Sequence, residues 1–301
     1  MPAPDGIILI DKPEGKSSYE VVKRVCKILN SRKAGHLGTL DPFATGLLPV
    51  LLGEATKIFQ FMVGLDKEYE AVLELGKETN TGDLTGKVVY EKDIEGIDTE
   101  KIRLVLNSIQ GEIIQYPPQF SAKKIDGKPG YYWARRGITK NFKPQKVMVK
   151  KLVIKEISPP IVRFNLLVSS GTFVRYLAQL VGRRLGVGAH LRQLRRTALG
   201  KWKVEDALTI EELENMALTN TEKIHIILIN EALDFMKAVV VSDEDARSIK
   251  QGKILKNVEF PETLKEGEFF RFVDKNDNLL SVVCYKANPQ TPYIYKRVFN
   301  L

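Results

Sequence analysis

The chain has 301 residues, 44% of them hydrophobic, and a formal net charge of +9. This length predicts one large and one small domain, and the apolar content excludes general disorder. The longest apolar runs are too short to span a bilayer, and the N-terminus lacks the pattern of a signal peptide. Cys26 and Cys284 are far apart in the sequence, so we expect reduced thiols and a cytoplasmic protein.

The basic residues are concentrated in two tracts. Residues 123–151 contain ten Lys and Arg against one acid, and residues 157–204 contain nine and no acid. The rest of the chain therefore carries a net charge of −9. One basic run usually indicates a solvated surface, but two neighbouring tracts that also contain aromatic residues favour a polyanionic partner. We expect the chain to bind a nucleic acid.

Apolar periodicity and turn residues predict the elements of the large domain. They predict, in chain order, a strand over 7–11, a helix that Ser17 or Ser18 caps, a glycine-rich loop over 34–46, strands over 47–52, 69–75 and 88–91, a helix over 99–110 capped by Thr99, an irregular tract from Tyr116, strands over 147–157 and 162–169, and helices over 171–184 and 209–217.

A second unit is predicted to begin at residue 238, which divides the chain into domains 1–237 and 238–301. It is composed of short elements: strands over 238–241, 268–273, 279–285 and 293–299, with a helix over 243–251. The polar turn 274–278 predicts a hairpin between the second and third strands. So many short strands in about 64 residues predict a small β-barrel.

The loop over 34–46 is the first candidate for chemistry. Its glycines allow unusual backbone angles, and Pro42 stiffens the chain directly after Asp41. An Asp on such a loop could take part in a reaction, but Asp-Pro is also an ordinary turn dipeptide. From the residues alone the two interpretations are equally supported.

The stretch Gly35-His-Leu-Gly-Thr-Leu-Asp-Pro-Phe-Ala-Thr-Gly-Leu-Leu48 resembles the signature of the TruB family of pseudouridine synthases. Further blocks resemble the same family in the same order. They lie at 7–13, 52–57, 67–69, 115–122, 171–175 and 188–196, and together they cover most of residues 6–200. The part beyond residue 238 resembles, more loosely, the family's C-terminal RNA-binding domain of the PUA kind.

The resemblance implies an α+β pseudouridine synthase fold, with a mixed, mostly antiparallel central sheet flanked by helices and a small C-terminal PUA-like β-barrel. It implies isomerisation of uridine 55 in the TΨC loop of tRNA, without metal or cofactor, by a monomer that needs no obligate protein partner. Two alternatives stay open: a guide-RNA-dependent pseudouridine synthase subunit, and a non-catalytic RNA-binding or chaperone protein.

The resemblance also assigns catalytic roles. Asp41 corresponds to the family's catalytic carboxylate, and Arg175 would pair with it and keep it ionised. Tyr69 would place its ring against the flipped base and assist proton loss from C5. The residues alone also allow Arg175 to be one basic residue among many and Tyr69 to be a core residue.

Other residues are expected to bind the RNA or to support the site. His36 would stack in the RNA loop, and Phe173 and Leu194 would contact the base. An RNA-gripping insertion over about 120–150 would contribute the basic side chains Lys123, Lys128 and Arg135, while Lys12, Pro13 and Gly38 would support the site. The chain departs from the family at Phe173, where relatives carry tyrosine, and at Gly130, where they carry an apolar residue.

Overall fold

The computed structural model describes residues 4–219, 221–255, 258–261, 263–288 and 292–299. Its helices are α1 (Ser18–Ile28), α2 (Phe59–Met62), α3 (Thr99–Ser108), α4 (Gly130–Ala134), α5 (Val174–Leu185), α6 (Ile210–Thr219), α7 (Ile229–Ala232) and α8 (Asp243–Lys250). Short 3-10 helices lie at Gly53–Ile58, Val204–Asp206 and Thr221–Lys223. In the described ranges, none of the helices combines the length and the apolar character needed to cross a membrane.

The strands of the large unit are β1 (Gly6–Lys12), β2 (Ala34–His36), β3 (Thr45–Leu52), β4 (Lys67–Leu75), β5 (Lys77–Thr79), β6 (Val88–Glu91), β7 (Gly111–Gln115), β8 (Lys124–Ile125), β9 (Lys128–Pro129), β10 (Gln145–Ser158), β11 (Ile161–Val168), β12 (Ala189–Leu199) and β13 (Trp202–Lys203). The strands of the C-terminal unit are β14 (Ala238–Val240), β15 (Phe269–Val273), β16 (Leu279–Tyr285) and β17 (Tyr293–Val298).

A nine-stranded sheet forms the centre of the large unit, in the order β1-β3-β12-β4-β11-β10-β7, with β2 on β3 and β13 on β12. The contact between β12 and β3 is parallel, and the other pairings are antiparallel. The predicted mixed, mostly antiparallel sheet is therefore confirmed. Helices α1, α3, α5 and α6 add their apolar faces to the largest hydrophobic cluster of this sheet.

Several local predictions differ from the structure. Asp98, not Thr99, caps α3, because the Asp98 carboxylate accepts the backbone N–H of Glu100 at 2.9 Å. The predicted loop over 34–46 includes β2 and the start of β3, which pair as a hairpin. Ser17 is the cap of α1, and it forms a capping box with Glu20.

The C-terminal unit is an open four-stranded sheet in the order β14-β15-β16-β17. The predicted hairpin is present, since Asp274 N–H donates to the carbonyl of Asn278 at 3.0 Å. The predicted closed barrel is not seen in the residues described, because β14 and β17 remain the two edges of the sheet. Four short strands are too few to close around a packed interior, for which about eight are typical.

One hydrophobic cluster joins the two units. Ile7 and Leu9 of β1 pack in the same cluster as Leu279, Val282 and Phe299 of the C-terminal unit. The alternate residues of β1, Ile8 and Ile10, pack in the main core of the large unit. Strand β1 is therefore buried on both faces, which explains its almost continuous apolar sequence.

Candidate active site

Asp41 lies on the connection between β2 and β3. This connection is attached to the start of α1, since the Ser18 hydroxyl bonds both the N–H and the carbonyl of Leu40 at 2.9 Å. The carbonyl of Pro42 accepts the N–H of Gly15 at 2.8 Å, which attaches the other side of the loop. The main chain on both sides of Asp41 is therefore fixed before any ligand binds.

Arg175, in the first turn of α5, forms a bidentate ion pair with Asp41. Its Nε donates to Oδ2 at 2.8 Å and its Nη2 donates to Oδ1 at 3.1 Å. The remaining donors bond the carbonyls of Thr81, at 2.6 Å, and Phe120, at 2.7 Å. Arg175 is 3% exposed, whereas the Asp41 side chain is 33% exposed. The buried guanidinium is therefore fixed in place, and it orients a carboxylate that remains accessible.

A second buried carboxylate, Asp83, stands behind Arg175. Its Oδ2 lies 3.6 Å from Nη1 of Arg175. Its Oδ1 accepts hydrogen bonds from the Thr81 hydroxyl at 2.9 Å and from the Thr85 hydroxyl and N–H at 2.6 and 3.0 Å. The guanidinium is thus held between two carboxylates, of which Asp41 faces the open side.

Burial raises the pKa of the Asp41 carboxyl; Arg175 acts against this shift, and Asp83 adds to it. Burial also lowers the pKa of Lys12 to about 8, although the charge of Asp41 acts in the opposite direction. The Lys12 ammonium donates to the carbonyls of Pro13, Lys16 and Pro42 at 2.8, 2.6 and 3.2 Å. Lys12 thus joins the end of β1 to the Asp41 loop. The supporting role of Lys12 and Pro13 in the reaction stays a prediction.

Tyr69, on β4, lies directly opposite Arg196 of β12. Arg196 is 1% exposed, and its donors bond the carbonyls of Leu47 at 2.7 Å and Gly38 at 3.0 Å. Burial lowers the pKa of Arg196, and the neighbouring Tyr69 acts against this shift. Gly46 pairs with Arg196 on the other side, and a Cβ at Gly46 would lie 2.2 Å from the Arg196 carbonyl oxygen.

His36 and Gly38 lie at the start of the same loop. Gly38 has a φ of +82°, which favours glycine, and its carbonyl is the one that Arg196 holds. Burial lowers the pKa of His36, and the charge of Arg196 adds to this effect. Both effects favour the uncharged form of the His36 ring, a form suited to stacking against a base.

A cavity of about 490 Å³ opens beside Asp41. Its wall brings together most of the residues selected from the sequence: His36, Gly38, Asp41, Tyr69, Lys123, Phe173, Arg175 and Leu194. A second cavity, of about 550 Å³, meets the first at Asp41 and is lined in addition by Tyr131 and Arg135. Lys128 lines neither of these two cavities.

The insertion between β7 and β10 presents charges and rings together. The guanidinium of Arg136 lies 3.6 Å from the centre of the Tyr132 ring, and the Lys140 ammonium lies 4.4 Å from the Trp133 ring. The Lys128 ammonium is 5.6 Å from the Tyr132 ring. Arg136 and Lys128 are exposed over an aromatic face, a surface suited to phosphates and bases, whereas Lys140 is half-buried and also pairs with Asp126 at 2.8 Å.

Sequence reasoning missed Asp83, Ser121 and Arg196. Asp83 lies in a polar turn whose Thr-x-Asp-x-Thr spacing is typical of local hydrogen bonding, which by itself does not distinguish a buried carboxylate from an ordinary surface turn. Arg196 was counted in a basic tract. No group of three or more His, Cys, Asp or Glu in the described part of the chain is placed to hold a metal ion.

The chain is similar to known proteins over most of its length. The N-terminal domain of the TruB family pseudouridylate synthases matches residues 26–174, and the C-terminal domain of tRNA pseudouridylate synthase B matches residues 175–240. The tRNA pseudouridine synthase B of Syntrophus aciditrophicus (strain SB) is 38% identical over 283 residues, covering 92% of this chain and 90% of that protein. The tRNA pseudouridine synthase B of Aquifex aeolicus (strain VF5) is 40% identical over 273 residues, covering 89% of this chain and 94% of that protein.

Solved structures show the same fold. A chain of a Cbf5-Nop10-Gar1 complex has a TM-score of 0.75 and 28% identity, with 97% of this chain and 84% of that chain covered. A chain of the archaeal box H/ACA sRNP Nop10-Cbf5 complex has a TM-score of 0.74 and 27% identity, with 98% and 86% covered.

Proposed function

The chain belongs to the TruB family of pseudouridylate synthases, and we propose that it converts uridine 55 in the TΨC loop of tRNA to pseudouridine with Asp41 as the catalytic carboxylate. The observation that carries this proposal is the bidentate pair of Asp41 and Arg175 at the junction of two cavities. The reaction breaks the bond between N1 and C1′, turns the base and forms a bond from C5 to C1′. The proton that C5 loses is balanced by the proton that N1 gains.

Each neighbour of Asp41 has a role in this proposal. Arg175 keeps the carboxylate ionised and oriented, so that it can act as nucleophile or base. Tyr69, Phe173 and Leu194 receive the base, and Tyr69 assists proton loss from C5. His36 stacks in the RNA loop in place of the extruded base, whose removal from the stack costs a few kcal/mol.

We propose that the positive surface offsets this cost. Lys123 and Arg135 are exposed beside the two cavities, and Lys128 extends the same charge along the insertion. Cationic contacts to phosphates release counterions and strengthen binding. The C-terminal unit, 238–301, is proposed to act as a PUA-like RNA-binding domain beside the catalytic unit, 1–237. The protein would work in the cytoplasm as a monomer, without a cofactor.

The first test is tritium release from transcribed tRNA that carries C5-tritiated uridine. The isolated protein should release tritium, and a transcript with cytidine in place of uridine 55 should release none from that position. Asp41→Asn should bind the T stem-loop with near-normal affinity and form no pseudouridine. Full activity of Asp41→Asn would refute the assigned role of Asp41.

The guide-RNA-dependent alternative is supported by one observation, the structural similarity to chains of H/ACA complexes. Two observations favour the tRNA enzyme: the higher identity to tRNA pseudouridine synthase B proteins, and the basic insertion over about 120–150. Activity of the isolated chain on a bare tRNA stem-loop distinguishes the two functions. The non-catalytic alternative predicts binding with no tritium release.

A further inference from the structure

Three buried polar side-chain atoms have no hydrogen-bond partner in the described part of the structure: His36 Nδ1, Ser121 Oγ and Ser281 Oγ. Folded proteins leave few such groups, and each one costs stability, so each requires an explanation. Two of the three line the cavity beside Asp41, while Ser281 lies in β16 of the C-terminal sheet. A buried hydroxyl that lines the cavity and has no protein partner is available to bond a substrate there.

Ser121 is the more informative of the two. It is 3% exposed, and it lines both of the cavities that meet at Asp41. The carbonyl of the preceding residue, Phe120, accepts a hydrogen bond from Arg175, and the carbonyl of Ser121 itself accepts the N–H of Tyr131 at 3.1 Å. The main chain at Ser121 is therefore fixed, whereas its hydroxyl is not.

The Ser121 hydroxyl can reach a substrate by a rotation about one bond. Serine side chains populate three staggered positions, and the present position makes no hydrogen bond. Turning the hydroxyl from its place beside Gly130 towards a cavity therefore breaks no existing interaction. A Cβ built at Gly130 would lie 3.1 Å from this oxygen, which shows how closely the insertion covers it.

The position of Ser121 identifies the group that it would meet. In the proposed function the base contacts Tyr69 and Leu194, Asp41 acts beside the glycosidic bond, and Lys123 lies on the phosphate side. The part of the nucleotide between the base and its phosphates is the ribose. Within an RNA chain the free hydroxyl of the ribose is the 2′-hydroxyl, which can both donate and accept a hydrogen bond.

We propose that the Ser121 hydroxyl bonds the ribose 2′-hydroxyl of the target nucleotide and thereby helps the site to select RNA over DNA. This inference rests on the proposed function, because it places the target nucleotide at Asp41. It assigns to Ser121 a contact with substrate that the free protein leaves unmade.

The test is a double-mutant cycle that measures the coupling between the Ser121 hydroxyl and the 2′-hydroxyl of the target nucleotide in RNA affinity. T stem-loops with uridine or 2′-deoxyuridine at the target position are titrated with proteins that carry Ser121 or Ser121→Ala. All proteins also carry Asp41→Asn, so that bound uridine is not converted. Ser121→Ala should weaken binding of the uridine stem-loop by about three- to tenfold, the effect of one hydrogen bond, and should not weaken binding of the deoxyuridine stem-loop.

Ser281→Ala is the matched control, since it also removes an unpaired buried hydroxyl but lies away from the cavities. Both variants should unfold at the same or a higher temperature than the parent, and Ser281→Ala should leave both affinities unchanged. The proposal is overturned if Ser121→Ala weakens the affinity for both stem-loops equally or for neither. It is also overturned if Ser121→Ala causes a large fall in the unfolding temperature. Tritium release by the protein with Asp41 intact tests the proposed function separately, because the binding cycle requires no turnover.

Discussion

Arg175 and Asp41 share two parallel hydrogen bonds, and the arginine is almost completely buried while the carboxylate remains accessible. Exposed ion pairs contribute little to stability, whereas a buried guanidinium must satisfy all its donors. Arg175 makes four hydrogen bonds, to Asp41, Thr81 and Phe120, and its Nη1 also lies 3.6 Å from the carboxylate of Asp83. The same contacts that satisfy the guanidinium also fix the direction of the carboxylate.

Arg175→Lys should lower the rate of pseudouridine formation on the order of a hundredfold, with little change in tRNA affinity. Lysine keeps the positive charge but cannot form two parallel bonds, and it leaves carbonyl groups without donors. Single-turnover rates and separate binding measurements check this prediction. Arg183→Lys is the control. Arg183 lies on the same helix as Arg175 but outside the two cavities, and it forms a bidentate pair with Glu78 of β5. A comparable loss in both variants would contradict the prediction.

Asp83→Asn should move the acid limb of the pH profile of kcat/KM to lower pH. The charge of Asp83 contributes to the raised pKa of Asp41, so its removal lowers that pKa. Activity requires the ionised form of Asp41 and is lost as the pH falls through its pKa. With a lower pKa, the loss occurs at a lower pH. An acid limb that stays in place or moves to higher pH would contradict the electrostatic role assigned to Asp83.

Lys12→Met should change how stability depends on pH. The pKa of Lys12 is about 8 in the folded protein and 10.5 as its ordinary value, so between these values the unfolded chain binds more protons. Stability from this group therefore rises as the pH increases from 8 to above 10, by on the order of 2 to 3 kcal/mol relative to the methionine variant. Urea unfolding at several pH values measures the difference. Lys23→Met, on an exposed position of α1, should show no such trend.

Gly130→Leu should destabilise the insertion. A Cβ at Gly130 would lie 2.7 Å from the carbonyl oxygen of Gln119 and 2.9 Å from the ring of Phe142. We expect a loss of about 1–3 kcal/mol, measured by thermal unfolding and by proteolysis of the insertion. In a double-mutant cycle with Phe142→Ala, which removes one of the two clashes, the combined loss should be smaller than the sum of the two single losses. Strictly additive effects would argue against direct contact between these positions.

Much of the site could be predicted from the sequence, because its chemistry is concentrated in short contiguous blocks. The blocks around Asp41, Tyr69 and Arg175 identify residues that the fold brings to one cavity. Their roles in the reaction are still predictions. Lys12 was also expected to support the site, and its three hydrogen bonds to carbonyl groups agree with that expectation.

The remaining features depend on long-range pairing. Strand β12 was not predicted, since its arginines have the composition of a solvated basic surface, yet Arg196 is buried because β12 lies between β3 and β4. Asp83 is buried for a similar reason, since its turn is covered by the helix that carries Arg175. The apolar pattern of a short segment does not contain this information. The pairing of distant strands buries Arg196, and the packing of a distant helix buries Asp83.

The C-terminal unit has a structural role in addition to any contact with RNA, because it shares a hydrophobic cluster with strand β1. Because Leu279, Val282 and Phe299 complete the hydrophobic cluster to which one face of this strand belongs, a chain cut after residue 237 would expose the apolar residues that these three side chains cover. Such a fragment should self-associate. The C-terminal sheet therefore protects the large unit from aggregation by keeping this cluster buried. The cluster includes the strand that leads to Lys12 and the Asp41 loop.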